Sequence, residues 1–347
     1  MVSNISSVNL RKGNTMLGYG NSSQRITRLG CLAATLVAFA ISPAVAAEKL
    51  KVTLNWTPDD SSIGIVYADV LGYYKDAGID LEIESGKGSG STSQLVAAGN
   101  TDVGLASGAS ALGIAAKGAP VKIIAPIYQK NGFGIVSLKD TPISKPKDLE
   151  GKTFAIGPAS ANIPLFEAMV KVNGIDKSTI NMIFADDASF IALLNEKKVD
   201  AVSDAPGDQM VPMEFMGVET KIMYYADIGV PTVGMSLIAR DDKLKQNPDL
   251  YKKFIDATLK GYAAVAKNPD AAVDALFEKY PNSGKKDRVS VSLKKYTLSL
   301  LCLPSSTGLG RAPAELWKST GQALDLGDGV GAMHTEDYLP TENIPCP

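Results

Sequence analysis

The sequence predicts an α/β protein of two similar lobes, each a mainly parallel sheet flanked by helices, with a ligand cleft at a hinge that the chain crosses twice. Three observations predict it. The stretch from Lys49 to Ile83 reads strand, helix, strand, the unit from which parallel sheets are built. The segment "LVAAGNTDVGLAS" is echoed by "LLNEKKVDAVSDA", with Leu193 and Asp200 standing to Leu95 and Asp102 at one common offset. Breaks at "TPISKPKDLEGKTFAIG" and "GVPTVGMSLIARDD" mark where the chain would pass into a second unit and return from it.

The elements follow in order. Residues 1–47 read as a secretory signal: Arg25 and Arg28 precede an apolar run from Leu29 to Ile41, then Pro43 and the small-residue triplet Ala44-Val45-Ala46. Cleavage is expected near Ala46 or Ala47. The run is too short for a membrane span of about 20 residues, and the charged region ahead of it is long, so Met16 is an alternative start. Cys31 sits at the beginning of the apolar run rather than after it, which argues against a lipid anchor.

In the mature chain Lys49 to Leu54 alternates polar and apolar residues as a half-buried strand does. Ile63, Val66, Tyr67, Val70, Leu71 and Tyr74 then share one helical face; Asp59 to Ser62 offer N-caps and Gly78 an end. Ile79, Leu81 and Ile83 alternate again. A Gly/Ser loop from Gly86 leads into a helix near Ser91, a turn at Gly99-Asn100 and a strand through Val103 to Ala106. Strands follow at Val121 to Ile127 and Phe133 to Leu138. The second unit repeats the outline: a strand at Thr153 to Ile156, a helix from Pro164 to Val172 closed by Asn173-Gly174, and a strand at Ile180 to Phe184. The remainder is helical, with Leu250, Phe254, Tyr262 and Val265 on one face and a last helix around Trp317. The expected lobes are therefore 48–138 with 233–347, and 139–232.

Composition and chemistry narrow the function. With 347 residues, 45% hydrophobic and a net charge of −2, the chain can bury a large core and has no electrostatic case for nucleic acid. His334 is the single histidine and no G-x-S-x-G elbow is present, so a Ser-His-Asp triad is not expected. Scarce His and Cys argue against a transition-metal site, and no EF-hand spacing is found. No cofactor is expected. The glycines of "GKGSGS" match neither nucleotide motif. Ser89 and Ser91 at a helix start either offer N–H and hydroxyl groups to a ligand oxygen or simply cap the helix. Ser160, Ala161 and Asn162 open a helix in the second lobe in the same way. Only Arg240, Arg288 and Arg311 follow the leader, none beside a strand-to-helix joint, so a guanidinium clamp is not favoured. Cys302 and Cys346 either pair in an oxidising compartment or remain two buried thiols.

"LNWTPDDSSIGIVYADVLGYYKDAGIDLEI", followed by "LVAAGNTDVGLAS", "KDLEGKTFAIG" and "VDAVSDAP", resembles the periplasmic solute-binding proteins of nitrate/sulfonate/taurine-type ABC importers, and within them the NMT1/THI5-like group. The resemblance covers about Leu50 to Ala266. It implies the type II periplasmic-binding-protein fold and a monomer that captures a small solute in the periplasm and hands it to a permease driven by an ATPase. By position it nominates Trp56, Ser61, Ser62, Ser89, Ser91, Ser107, Tyr128, Ser160, Asn162 and Asp204 for the ligand. After "NWTP", where several relatives have Asn and His, this chain has Asp59, Asp60, Ser61 and Ser62, which counts against a thiamine-precursor ligand. Trp56 either stacks on a planar solute, favouring an aromatic or heteroaromatic ligand that carries a carboxylate or not, or braces the turn from the core. Binding without catalysis is the expected function. A pyrimidine-precursor synthase, a sulfonate or nitrate binder, and a sensor are the alternatives. The yeast synthases use their own histidine and a cysteine-rich motif, and neither lies near the expected cleft here.

Overall fold

The computed structural model describes residues 47–158 and 160–347. The expected signal, its cleavage site and the alternative start at Met16 lie outside the described residues. The strands are β1 (Glu48–Thr53), β2 (Ile79–Glu84), β3 (Val103–Ser107), β4 (Val121–Pro126), β5 (Gly134–Leu138), β6 (Thr153–Ile156), β7 (Asn181–Phe184), β8 (Ala201–Asp204), β9 (Thr220–Tyr224) and β10 (Met235–Arg240). They form two five-stranded sheets, in the orders β2-β1-β3-β10-β4 and β7-β6-β8-β5-β9. In the first, β1 pairs parallel with β2 and β3, and β10 runs antiparallel between β3 and β4. The second matches it position for position, with β6 parallel to β7 and β8, and β5 antiparallel between β8 and β9. Each sheet is thus mixed, four strands pointing one way and a fifth reversed.

The reversed strands correct one expectation. β5 does not close the first unit: it pairs with β8 and β9, so the first crossing precedes Gly134 instead of following Leu138. A strand's partner is chosen by long-range burial of both its faces, which local alternation does not report. The crossings, 127–133 and 225–234, run side by side. Tyr128 N–H donates to Met235 O at 2.9 Å, Gly234 N–H donates to Tyr128 O at 2.8 Å, and Tyr225 N–H donates to Phe133 O at 3.1 Å. A Cβ on Gly234 would stand 2.8 Å from the Tyr128 Cβ, so the approach requires glycine.

The aspartates at the common offset do one job twice. Asp102 Oδ2 accepts from Lys51 N–H at 2.9 Å and Asp200 Oδ2 accepts from Thr153 N–H at 2.8 Å, each carboxylate fixing the first strand of its own sheet. Around the first sheet the apolar helical face at Ile63–Val70 packs on the long helix Pro248–Lys267. Tyr74 stacks on Phe254 at 5.5 Å and shares a 2.7 Å hydrogen bond with Thr258. Gly72, at φ 80°, breaks the predicted single helix and a short one follows at Tyr73–Asp76. Each fully buried side chain such as Leu50, Val52 or Phe254 contributes roughly 1.5–3 kcal/mol by leaving water. Phe154, Phe166, Leu165 and Met169 form the corresponding core of the second sheet.

The C-terminal segment returns to the crossings. Cys302 and Cys346 form a disulfide, with Cα atoms 6.0 Å apart. Buried Gln129, in the first crossing, donates from Nε2 to Gly308 O at 2.8 Å and accepts from Leu303 N–H at 3.2 Å. Among the described residues no helix is long and apolar enough to cross a membrane.

Candidate functional site

Strands of both sheets end at a common cavity of about 470 Å³. Asn55, Trp56, Asp59, Lys87 and Ser89 line it from the first half, and Gly157, Ser160, Asp186, Asp187, Asp204, Asp208 and Gln209 from the second. A smaller space of about 90 Å³ adjoins it through Asn55, Asp59, Phe133 and Asp208, and is floored by Asp60, Tyr128, Tyr296 and Thr297. In open α/β sheets, ligands bind outside the carboxyl ends of the strands.

The first wall is a rigid turn. Asp59 Oδ1 accepts from Ser61 N–H at 2.8 Å and from the Ser61 hydroxyl at 2.6 Å, an Asx turn that leads the chain out of β1 into the helix Ile63–Val70. The Ser61 carbonyl is held by the hydroxyls of Tyr262 at 2.8 Å and Tyr128 at 3.2 Å. Asp60 Oδ2 accepts from Ser292 Oγ at 2.7 Å and from the Thr297 hydroxyl. Behind the turn, Gly86 N–H donates to Trp56 O at 3.0 Å and Gly88 N–H to Asn55 O at 2.8 Å, so the Gly/Ser loop and the tryptophan are one backbone unit. A Cβ on Gly86 would fall 1.9 Å from Leu54 O, which explains the glycine. Trp56 itself is 48% exposed, so it is a wall residue of the cavity and does not brace the turn from the core.

The second wall is built on the end of β8 and the helix Pro206–Phe215. Asp204 Oδ1 accepts from Ala205 N–H at 2.8 Å and Oδ2 from Gln209 Nε2 at 2.6 Å. The walls meet where Gly207 approaches Ser292, whose Oγ would lie 2.2 Å from a Cβ on that glycine. Outside this contact Lys295 pairs with Glu214 at 2.8 Å across the two halves.

Electrostatically the cavity is acidic. Burial, followed by the charge of Asp60, pushes the Asp59 carboxyl up to about 7. Burial, followed by the charge of Asp187, pushes Asp204 up to about 7. Asp60 and Asp187 are raised chiefly by burial as well. Asp208, whose side chain is still open to water, is pushed up as well, by partial desolvation between the halves and then by the charges of Asp204, Asp59, Asp60 and Asp187 that it faces. A cavity that resists its own negative charge suits a ligand that supplies positive charge or hydrogen-bond donors. Among the described residues, no three His, Cys, Asp or Glu side chains are placed to hold a metal ion.

A family model described as NMT1/THI5 like matches residues 60–272, more than half of the chain. The chain belongs to the NMT1/THI5-like family. Among its relatives is the riboflavin-binding protein RibY of Chloroflexus aurantiacus, 23% identical over 79% of this chain and 79% of RibY. The formylaminopyrimidine-binding protein of Halalkalibacterium halodurans is 24% identical over 82% of this chain and 86% of its own. Enzymes also match: the 4-amino-5-hydroxymethyl-2-methylpyrimidine phosphate synthase THI5 of Saccharomyces cerevisiae is 24% identical over 64% of this chain and 68% of its own. The fold is that of the periplasmic aliphatic sulphonate binding protein SsuA of Escherichia coli, with a TM-score of 0.65 at 16% identity over 82% of this chain and 94% of SsuA.

Of the residues nominated from sequence in this NMT1/THI5-like chain, Trp56, Ser61, Ser89, Tyr128, Ser160 and Asp204 line the two spaces. Ser62, Ser91, Ser107 and Asn162 do not. Ser62 is buried and accepts from Asp59 N–H, Ser107 N–H donates to Ser89 Oγ at 3.0 Å, and Asn162 Nδ2 donates to Ser203 O at 3.0 Å. Ser91 lies on the helix Ser89–Ala98, outside both linings. The side chains of Ser62 and Asn162 serve the scaffold, while the Ser107 hydroxyl is buried without a partner. The nominations passed over Asn55, Asp187, Asp208 and Gln209; the acidic runs "ADDAS" and "SDAPGD" at the ends of β7 and β8 were the available signal.

Proposed function

We propose that this chain is the exported, solute-binding component of an ABC importer, which captures a small organic solute with a planar ring and delivers it to a membrane permease and its ATPase. The observation that carries this reading is the cavity of about 470 Å³ at the strand ends of two sheets joined by two paired crossings, with Trp56 exposed in its wall. Sheets joined this way form two lobes about a hinge, 48–126 with 235–347 and 134–224, and a solute touching both favours the closed arrangement. Export follows from the leader pattern before Glu48. The protein acts as a monomer.

Capture without chemistry is favoured over the synthase reading by the residues around the cavity. His334 stacks on Trp317 at 3.8 Å and lines neither space, and Cys302 and Cys346 are joined to each other. An anion such as a sulfonate, or the carboxylated solute allowed by the sequence, would meet the aspartates of both walls.

The test is a thermal-shift screen over pyrimidines, flavins, aromatic amines, aromatic carboxylates, sulfonates and nitrate. A planar heterocycle at about 100 times its Kd should stabilise the fold by about 2.7 kcal/mol, be recovered unaltered, and lose its effect in Trp56→Ala. Recovery of a changed product points to the synthase, and a panel without any hit removes solute capture.

A further inference from the structure

We infer that the ligand of this cleft is an organic cation that presents N–H donors, an amidinium or protonated amine on a planar ring, rather than an anion or a neutral solute. The inference rests on the solute-binding reading above and adds the charge of the solute.

Two independent observations carry it. The first is the balance of charge in the walls. Asp59, Asp60, Asp186, Asp187, Asp204 and Asp208 line the two spaces, and the one cationic side chain among the lining residues is Lys87, which is exposed at the rim. Elsewhere on the surface aspartates are paired: Asp140 with Lys197, Asp241 with Lys122 and Lys245, Asp242 with Arg240. Among the described residues none of the lining aspartates has such a partner, so their charge is met by protons or by a cation from outside.

The second is the kind of polar atom left without a partner. Gln209 is 2% exposed and is one of the residues that line the cavity; its Nε2 is engaged by Asp204, while its Oε1 accepts nothing. Asp187 Oδ1 is buried beside it and likewise accepts nothing. Both are acceptors. A buried acceptor without a donor is costly; both atoms are closed off from the cavity as they stand, and a side-chain rotation toward it lets a ligand N–H supply the missing donor, where a ligand oxygen anion would add repulsion. Asp59 and Asp60 point the same way, since each has one carboxylate oxygen occupied by serine or threonine and its other oxygen unbonded among the described residues.

A metal ion fits less well than an organic cation. No three of the described His, Cys, Asp or Glu side chains are placed to hold one, and the carboxylates are distributed over both walls. Trp56 offers an organic cation a ring face, and an aromatic face attracts cations as well as planar groups.

Calorimetric titration of the purified protein with three isosteric probes tests the inference: benzamidinium, benzamide and benzoate have one shape and carry positive, zero and negative charge. Benzamidinium should bind at least about tenfold more tightly than benzamide, and benzoate should give no heat. Added salt should weaken benzamidinium alone. Asp208→Asn and Asp60→Asn should each weaken benzamidinium by about tenfold while leaving benzamide within about twofold. Benzamide or benzoate binding as tightly as benzamidinium, or a benzamidinium affinity unmoved in both variants, overturns the charge assignment and leaves solute capture standing. Silence from all three probes and from the wider solute panel overturns both together.

Discussion

The two halves of the molecule repeat their scaffold and diverge where they face each other. Asp102 and Asp200 hold the first strand of their sheets by the same bond, at 2.9 and 2.8 Å, and the strand orders match position for position. At the cleft the correspondence ends. The first half presents an Asx turn with two carboxylates and a tryptophan; the second presents a glycine-proline turn at Gly157-Pro158 and sets its carboxylates later, at Asp187, Asp204 and Asp208. Strand pairing constrains a fold wherever strands pair, whereas the loops beyond the strand ends answer only to the ligand.

That comparison can be broken in three places, two of them at a fixed pH and the third by titration. The disulfide belongs to the first half alone and closes a sequence separation of 44 residues. Loop-closure entropy gives it about 4 kcal/mol. Reduction should lower the urea midpoint accordingly and speed amide exchange around Gln129 and β10 before it reaches β6 to β8. Uniform acceleration across both sheets would show that the tie is not local to the first half. Next, Asp102→Ala and Asp200→Ala should each cost about 1–3 kcal/mol, because each leaves a strand N–H without its acceptor. The two losses should agree within error if the halves are equivalent scaffolds, and neither should change ligand affinity.

The third is the dependence of ligand-free stability on pH. Asp59 and Asp204 are raised from 3.8 to about 7 in the folded protein, so the folded state holds protons that the unfolded state has released. Stability is therefore greatest below about pH 4 as far as these groups are concerned, and their contribution is lost as pH rises toward 7. Asp60, Asp187 and Asp208 face them and slope the same way. The combined Asp59→Asn and Asp204→Asn variant should flatten the urea midpoint against pH across that window. An unchanged slope would mean that these carboxylates ionise freely in the fold.

How much of this was legible in the sequence depends on the reach of the interaction. The helix at Ile63–Val70, the strand β1 and the repeated aspartates announce themselves through period and spacing, because each is decided within one turn or one strand. The alternation of β5 does not reveal its sheet, because pairing with β8 and β9 is settled by residues more than sixty positions away. The cavity shows the same limit. Trp56 and Ser89 stand at strand-to-helix joints and could be picked out, but Asp208 and Gln209 join Asp59 only after both sheets have formed. Asn162 and Ser107 mislead because an amide or hydroxyl at such a joint looks the same whether it faces a ligand, a backbone carbonyl as Asn162 does, or no partner as Ser107 does.

The side-by-side crossings have a further consequence for the architecture as material. The chain enters the second sheet after 133 and leaves it before 225, and Tyr225 N–H donates to Phe133 O across those two ends. The whole of 134–224 is in effect an insert whose ends already touch. What ties it to the other half besides the seam includes a short set of contacts, Lys295 with Glu214, Lys171 with Asp325, and Ser292 against Gly207, and those are what any exchange of one wall of the cleft would have to remake.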